Sequence, residues 1–174
     1  IQEAKVNHPI LRVGYGVNTG LAMLGTIGDQ ERMDANVISD AINLASRIES
    51  LNKFYGTEFL LSDATLKALV NPNTFTKRVV DKVQVKGKKN AVYLYEVYLK
   101  KSADENTQGF IAQYEEAFKA YEKGDIAEAL TKFTQCQQLL PQDKSTAILI
   151  ERCQTLQKNG LPKDWNGTYS MDHK

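Results

Sequence analysis

The sequence predicts an α+β domain followed by a small all-α segment, and three features lead to this fold class. Residues 1–100 contain several short runs in which apolar and polar residues alternate, together with one long amphipathic helical pattern. Residues 101–109 are polar and charged without periodicity, which indicates a linker. Residues 110–174 are dominated by helical periodicity. We therefore expect two units joined by the linker.

The composition is that of an ordinary globular protein and excludes several functional classes. Apolar residues make up 42% and charged residues 25% of the 174 residues, and the formal net charge is +1. A charge this small creates no long-range field that attracts nucleic acid, so we expect no nucleic-acid partner. The chain has no apolar stretch of the roughly 18 residues that a membrane span needs, and its start lacks a signal-peptide pattern. We expect a cytoplasmic location.

The first strands are predicted on either side of a turn. Residues 11–17 and 21–27 alternate apolar with small or polar residues, and the Asn-Thr-Gly sequence at 18–20 is typical of a turn. Strands joined this tightly usually pair antiparallel. Residues 35–38 form a further short apolar run, which we interpret as a continuation of the sheet.

A long helix is predicted directly after this run. Ser39 or Asp40 can cap it by accepting a hydrogen bond from a free backbone N–H group. The helix should extend to about Phe54, with Gly56 as its C-terminal stop. Apolar residues at spacings of three and four form one stripe along it. They are Ala41, Ala45, Ile48 and Leu51, widened by Ile42 and Leu44.

Four more elements are predicted before the linker. They are a strand at 58–62, a short helix at 63–70, a long strand at 74–87 and a last strand at 91–99, with a turn at 87–90 between the last two. In the long strand Val79, Val83 and Val85 mark a buried side that Asp81 interrupts.

Three helices are predicted beyond the linker, at 110–123, 126–140 and 145–158. One set of residues there resembles the second half of a tetratricopeptide repeat: Gly124, Ala129, Phe133, Cys136 and Pro141. Stacked arrays need about three such repeats, and this chain has one. The segment is therefore either a capping helical hairpin or a groove for a partner peptide. Cys136 and Cys153 should pack as small apolar residues, and Trp165 should anchor the tail.

Residues 10–100 resemble the C-terminal half of a class III nucleotidyl cyclase catalytic domain. The motifs that carry the resemblance are Gly16–Gly20, Gly25–Gly28, Arg32–Ala35, Ser39–Arg47 and Tyr55-Gly56, in the family's order. The resemblance implies a cyclase-type mixed sheet with helices around a ferredoxin-like core whose N-terminal half is absent. The helical segment and its Asp-Trp-Asn-Gly tail also resemble the ends of bacterial adenylate cyclases that have a membrane-anchored sensor upstream.

The resemblance also implies a reaction. Class III adenylate cyclases convert ATP into 3′,5′-cyclic AMP and pyrophosphate by attack of the ribose 3′-hydroxyl on the α-phosphate. Arg47 occupies the family position that stabilises the phosphoryl charge in the transition state, and Asn43 occupies the position that orients the ribose. Residues four apart share a helix face, so one helix presents both. Asn36 aligns with the position that reads the purine, and its amide suits adenine or guanine.

Cofactors and partners follow from the same resemblance. Family members hold Mg²⁺ or Mn²⁺ with Asp residues of the N-terminal half, and no segment here matches those positions. We expect the metal ligands in that missing half, since the chain begins at Ile1 in what would be the middle of the domain. The 174 residues alone should then be inactive. Family sites form between two catalytic domains, so we expect ATP as substrate and a homodimer.

Two positions depart from the family pattern. Ala35 stands where an aromatic residue is usual, and Ser39 where a glycine is usual, so a positive φ at Ser39 would strain the turn. Three functions remain open: an active adenylate or guanylate cyclase, a cyclase-like domain that binds nucleotide or regulates without catalysis, and a helical interaction module. Without the ordered cyclase-like motifs around them, we would interpret Asn43 and Arg47 as two residues on the solvent-exposed face of an amphipathic helix.

Overall fold

The computed structural model describes residues 13–29, 32–85, 90–98 and 105–171, which form a mixed α+β fold as predicted. The strands are β1 (Tyr15–Val17), β2 (Met23–Asp29), β3 (Arg32–Ile38), β4 (Phe59–Ser62), β5 (Thr76–Val85), β6 (Val92–Tyr98) and β7 (Tyr169–Met171). The helices are α1 (Asp40–Tyr55), α2 (Asp63–Ala68), α3 (Glu105–Lys123), α4 (Ile126–Leu139) and α5 (Lys144–Asn159). The predicted turn at 87–90 lies outside the described residues except for Asn90.

Among the described residues, the main sheet has five strands in the order β1-β4-β6-β5-β7. The outer pairs β1–β4 and β5–β7 are parallel, whereas β4–β6 and β5–β6 are antiparallel. Strands β2 and β3 form a separate antiparallel hairpin. β3 leads through one residue, Ser39, into α1, so the hairpin and the helix are directly connected.

The predicted antiparallel pairing of residues 11–17 with 21–27 is wrong for the described residues. β1 pairs parallel with β4, and β2 pairs with β3. The connection at 18–20 is not a hairpin turn because Asn18 is bound to two other elements. Its Nδ2 donates to Ala41 O at 3.1 Å, and its Oδ1 accepts from Ser62 Oγ at 2.7 Å. Residues 35–38 are likewise a strand, but they belong to the hairpin and not to the main sheet.

Helices cover both faces of the sheet, and the described residues form two apolar cores. The core beneath α1 contains Ile48, Tyr55, Leu60, Val80, Val83 and Leu94. The second core lies among α3, α4 and α5, and Val79 and Tyr93 of the sheet pack against it. The predicted single buried side of the long strand is therefore wrong. A register shift between Val79 and Asp81 places Val79 toward one core and Val83 toward the other.

The helical segment closely follows its prediction, although α3 begins at Glu105 and so includes the last five residues of the predicted linker. It contacts the sheet directly, since Tyr114 Oη donates to Val80 O at 2.8 Å. Whether it forms a separate domain stays a prediction. Cys136 and Cys153 are buried free thiols, as expected, and burial raises their pKa to about 11 and about 12.

The tail is anchored by Trp165, as predicted. The indole Nε1 donates to Tyr121 O at 2.9 Å, and the two aromatic rings meet edge to face with centroids 5.1 Å apart. Beyond Trp165 the chain forms β7, an edge strand beside β5 that the sequence did not predict. The residues of the tetratricopeptide-like pattern in α4, Ala129, Phe133 and Cys136, are buried in the helical core, and their repeat-like function stays a prediction.

Candidate active site

Helix α1 begins at a well-formed N-cap. Ser39 has an extended backbone with φ −163°, and its Oγ accepts a hydrogen bond from Ala41 N at 2.9 Å. The same hydroxyl donates to Leu21 O, which ties the start of the helix to the segment before β2. The strain expected at Ser39 is absent because φ is not positive. Serine in place of glycine is therefore compatible with the start of this helix.

The inner face of α1 lies directly on the backbone of β1. A Cβ added at Gly16 would lie 2.2 Å from Glu49 N and 2.5 Å from Ala45 O, so a side chain at this position cannot be accommodated without moving the helix. Asn52 adds a polar link, since its Nδ2 donates to Tyr15 O at 3.0 Å. Helix and strand are thus held at a fixed, short separation.

Asn43 and Arg47 lie on the other side of this helix. Helical geometry places them one turn apart and opposite Ala45 and Asn52, which face β1. Both are exposed, and neither side chain has a hydrogen bond or ion pair with another described residue. The structure therefore places both side chains on one face of a helix whose opposite face is held by β1.

Asn36 lies in β3, where its backbone is opposite Gly25 of β2. Ala35, the other departure from the family pattern, is opposite Thr26 in the same hairpin. The side chains of residues 26–38 lie outside the described part of the structure, so the predicted contact of Asn36 with a purine stays a prediction.

A cleft of about 620 Å³ lies at the C-terminal half of α1 and is lined by Gly14, Glu49, Ser50 and Lys53 among others. Asn43 and Arg47 do not line this cleft.

The described residues do not fit a metal site. They contain no group of three or more His, Cys, Asp or Glu side chains placed to hold an ion. No metal-dependent step can therefore be assigned to these residues.

Two buried ionic clusters among the described residues, which the sequence did not predict, connect α5 to the rest of the fold. In one, Arg78 of β5 pairs with Glu96 and Asp143. In the other, Arg152 of α5 pairs with Asp81 of β5. The interruption of the apolar pattern by Asp81 was the one available signal, because an acidic residue on a buried strand face requires a partner.

Comparison with known proteins identifies the family of this chain. Residues 1–98 match the family described as the adenylate and guanylate cyclase catalytic domain. The chain therefore belongs to the class III cyclase catalytic domain family.

Three named relatives are adenylate cyclases. The chain is 36% identical over 146 residues to "Adenylate cyclase, terminal-differentiation specific" of Dictyostelium discoideum, covering 82% of this chain and 7% of that protein. It is 43% identical over 98 residues to "Adenylate cyclase" of Anabaena cylindrica, covering 56% of this chain and 20% of that protein. It is 36% identical over 89 residues to "Adenylate cyclase 1" of Rhizobium meliloti (strain 1021), covering 51% of this chain and 13% of that protein.

These matches extend over only part of each relative. The chain spans between 7% and 20% of the length of the three proteins. The match to the Dictyostelium protein covers so much of this chain that it must include part of the helical segment as well as the cyclase part. Among the described helices, none is both long and apolar enough to cross a membrane.

Proposed function

We propose that this chain is part of an adenylate cyclase that converts ATP into 3′,5′-cyclic AMP and pyrophosphate. The ribose 3′-oxygen forms a bond to the α-phosphorus, the bond from that phosphorus to the oxygen of the leaving pyrophosphate breaks, and the hydroxyl proton passes to solvent. Negative charge grows on the phosphoryl oxygens during this displacement, so a fixed cation favours the transition state over the ground state.

One observation carries the proposal: Asn43 and Arg47 are exposed, unpaired among the described residues, and one turn apart on a helix that is fixed on its opposite face. Arg47 supplies a guanidinium that can donate two parallel hydrogen bonds to phosphoryl oxygens. Asn43 holds the ribose so that its hydroxyl is aligned with the leaving group. Asn36 reads the purine through its amide. The similarity to three proteins named adenylate cyclases favours ATP as the substrate.

A homodimer is the second part of the proposal. Several large apolar side chains near the start of α1 are exposed, among them Leu21 at 98%, Met23 at 76% and Leu24 at 77%. Large exposed apolar side chains favour an interface, and in the proposed homodimer the second subunit also covers the exposed face of α1. The family generally uses Mg²⁺ or Mn²⁺, and we assign their ligands to sequence outside the described residues.

The remaining parts of the proposal concern the full-length protein. We place the cyclase part in the cytoplasm, where ATP is available, and the upstream part in a membrane-anchored sensor. We expect the 174 residues by themselves to be inactive, because the resemblance to the family assigns the metal ligands to the N-terminal half of the domain.

The test is an assay of the full-length protein with ATP and, separately, with GTP in the presence of Mn²⁺. The proposal predicts cyclic AMP and pyrophosphate in equal amounts, with a slower reaction from GTP. A folded, dimeric protein that forms neither cyclic nucleotide but binds ATP would instead support the nucleotide-binding or regulatory alternative. Capture of a specific partner by the helical segment, without nucleotide binding, would support the interaction-module alternative.

A further inference from the structure

Helix α5 contacts the C-terminal end of α1. Ser145 Oγ donates to Tyr55 O at 3.1 Å, and Lys144 Nζ donates to Lys53 O at 3.0 Å. Carbonyl groups in the last turn of a helix have no partner within that helix. The first turn of α5 therefore supplies hydrogen bonds that α1 cannot make for itself.

A buried cluster joins the same two helices to the sheet. The Tyr55 hydroxyl donates to Asp81 Oδ2 at 2.5 Å, and Arg152 Nη1 of α5 donates to the same oxygen. Asp81 Oδ1 accepts from Lys82 N at 2.8 Å. Tyr55 and Asp81 are 1% and 0% exposed, and Arg152 is 9% exposed, so solvent screens these interactions little. We call Tyr55, Asp81 and Arg152 the α1 clamp.

The α1 clamp is an unusual way to fill a core. Burial raises the pKa of the Asp81 carboxyl, and the Arg152 guanidinium opposes that rise. Because burying both charges is costly, apolar side chains of similar volume would often give equal or greater stability. Hydrogen bonds also require a defined direction and distance, so those of the α1 clamp restrict the rotation and sliding of α1 over the sheet. Ile148 of α5 packs against the same core and adds shape complementarity.

We infer that the helical segment is a positioning device for the active site, and that Tyr55 and Arg152 are positioning residues that act through α1 on Arg47. The inference rests on the proposed function for its catalytic consequence. Tyr55 lies eight residues after Arg47, which is about 12 Å along the helix axis. When β1 holds the inner face of α1 and the α1 clamp holds its end, the helix presents Arg47 in one orientation. When the end is released, Arg47 can move relative to the α-phosphate, and even a small misplacement of a catalytic group slows the reaction.

The test compares Tyr55→Phe with Tyr93→Phe in the full-length protein. Both substitutions remove one hydroxyl that donates to a carboxylate. The hydroxyl of Tyr93 donates to Glu122 Oε1 at a distance of 2.6 Å, and neither of these two residues belongs to α1. We expect Tyr55→Phe to lower kcat for cyclic AMP about tenfold with KM within about twofold, and to speed hydrogen exchange at the amides of the last two turns of α1. Tyr93→Phe should change neither quantity.

A second comparison separates positioning from simple loss of stability. In an Arg47→Ala background, Tyr55→Phe should lower kcat by less than about twofold further, because the group that it positions is already gone. An equal tenfold loss in both backgrounds would overturn the inference, as would unchanged amide exchange in α1. If the wild-type protein makes no cyclic nucleotide, the proposed function fails, and the exchange measurement alone decides whether the α1 clamp fixes α1.

Discussion

Asp143 caps helix α5 and also pairs with the buried guanidinium of Arg78. Arg78 Nη2 donates to Asp143 Oδ1 at 2.6 Å, while Oδ2 accepts from Thr146 N at 2.8 Å. Arg78 is 1% exposed, and its Nε donates to Glu96 at 2.8 Å. One carboxylate therefore fixes the start of α5 to strand β5, close to the point where α5 contacts α1.

We predict that Asp143→Asn lowers the free energy of unfolding by about 3 kcal/mol at pH 7. Asparagine keeps the capping oxygen but leaves the buried Arg78 with one carboxylate in place of two. Asp125→Asn is the matched control, because Asp125 caps the neighbouring helix α4 from an exposed position, where its Oδ1 accepts from Glu128 N at 3.2 Å. Denaturant unfolding should show a loss below about 0.5 kcal/mol for the control. Equal losses would mean that capping alone matters at Asp143.

The ion pair also predicts how stability depends on pH. Burial alone would raise the pKa of Asp143, but the Arg78 charge and the hydrogen bonds from Arg78 and Thr146 lower it below its ordinary value. A carboxyl whose pKa is lower in the folded state stabilises the fold above its unfolded pKa, about 3.9, and loses that contribution as pH falls through the folded pKa. The stability difference between wild type and Asp143→Asn should therefore shrink below about pH 4. A difference that stays constant from pH 7 to pH 3 would contradict this assignment.

Two glycines should respond in opposite directions to alanine. Gly16→Ala places a Cβ against the α1 backbone and should lower the free energy of unfolding by about 3 kcal/mol or more. Gly109→Ala adds a methyl group at an exposed position of α3, where no other heavy atom lies within 4 Å of the added Cβ. This substitution should raise the free energy of unfolding by about 0.5 to 1 kcal/mol. The measurement is denaturant unfolding of both variants. A neutral Gly16→Ala would mean that α1 does not lie this close to β1.

Asn36→Ala tests how the purine is selected. If the amide hydrogen-bonds the base, the variant should raise KM for ATP about tenfold, with kcat within about threefold, because one binding contact is lost. The ratio of kcat/KM for ATP to kcat/KM for GTP should therefore be lower in the variant than in the wild type. Steady-state kinetics with each nucleotide provides the measurement, and an unchanged ratio of kcat/KM between ATP and GTP would remove Asn36 from base selection.

Features of the fold that depend only on residues close together in the sequence could be predicted from the sequence. Ser39 and Gly56 define the ends of α1 through local capping, and Gly56 indeed has φ 74°. The i, i+4 spacing of Asn43 and Arg47 was enough to place them on one helix face. These features need no knowledge of where the rest of the chain goes.

The features that were missed depend on partners far along the sequence. The connection at Asn18 resembled a hairpin turn, but its bonds go to Ala41 and Ser62. The partner of Asp81 is Arg152, 71 residues away, and spacing alone could not select it. The parallel addition of β7 beside β5 likewise depends on how the tail is anchored at Trp165.

The most direct test of the proposed catalytic role is kcat for cyclic AMP formation by Arg47→Ala in the full-length protein, beside Lys53→Ala as a control. Both variants remove one exposed positive charge from α1, but only Arg47 shares the face of Asn43. We predict a fall in kcat of about a hundredfold or more for Arg47→Ala, as expected for a lost transition-state contact of about 3 kcal/mol, and little change for Lys53→Ala. Equal, small effects of the two variants on an active enzyme would contradict the role assigned to Arg47.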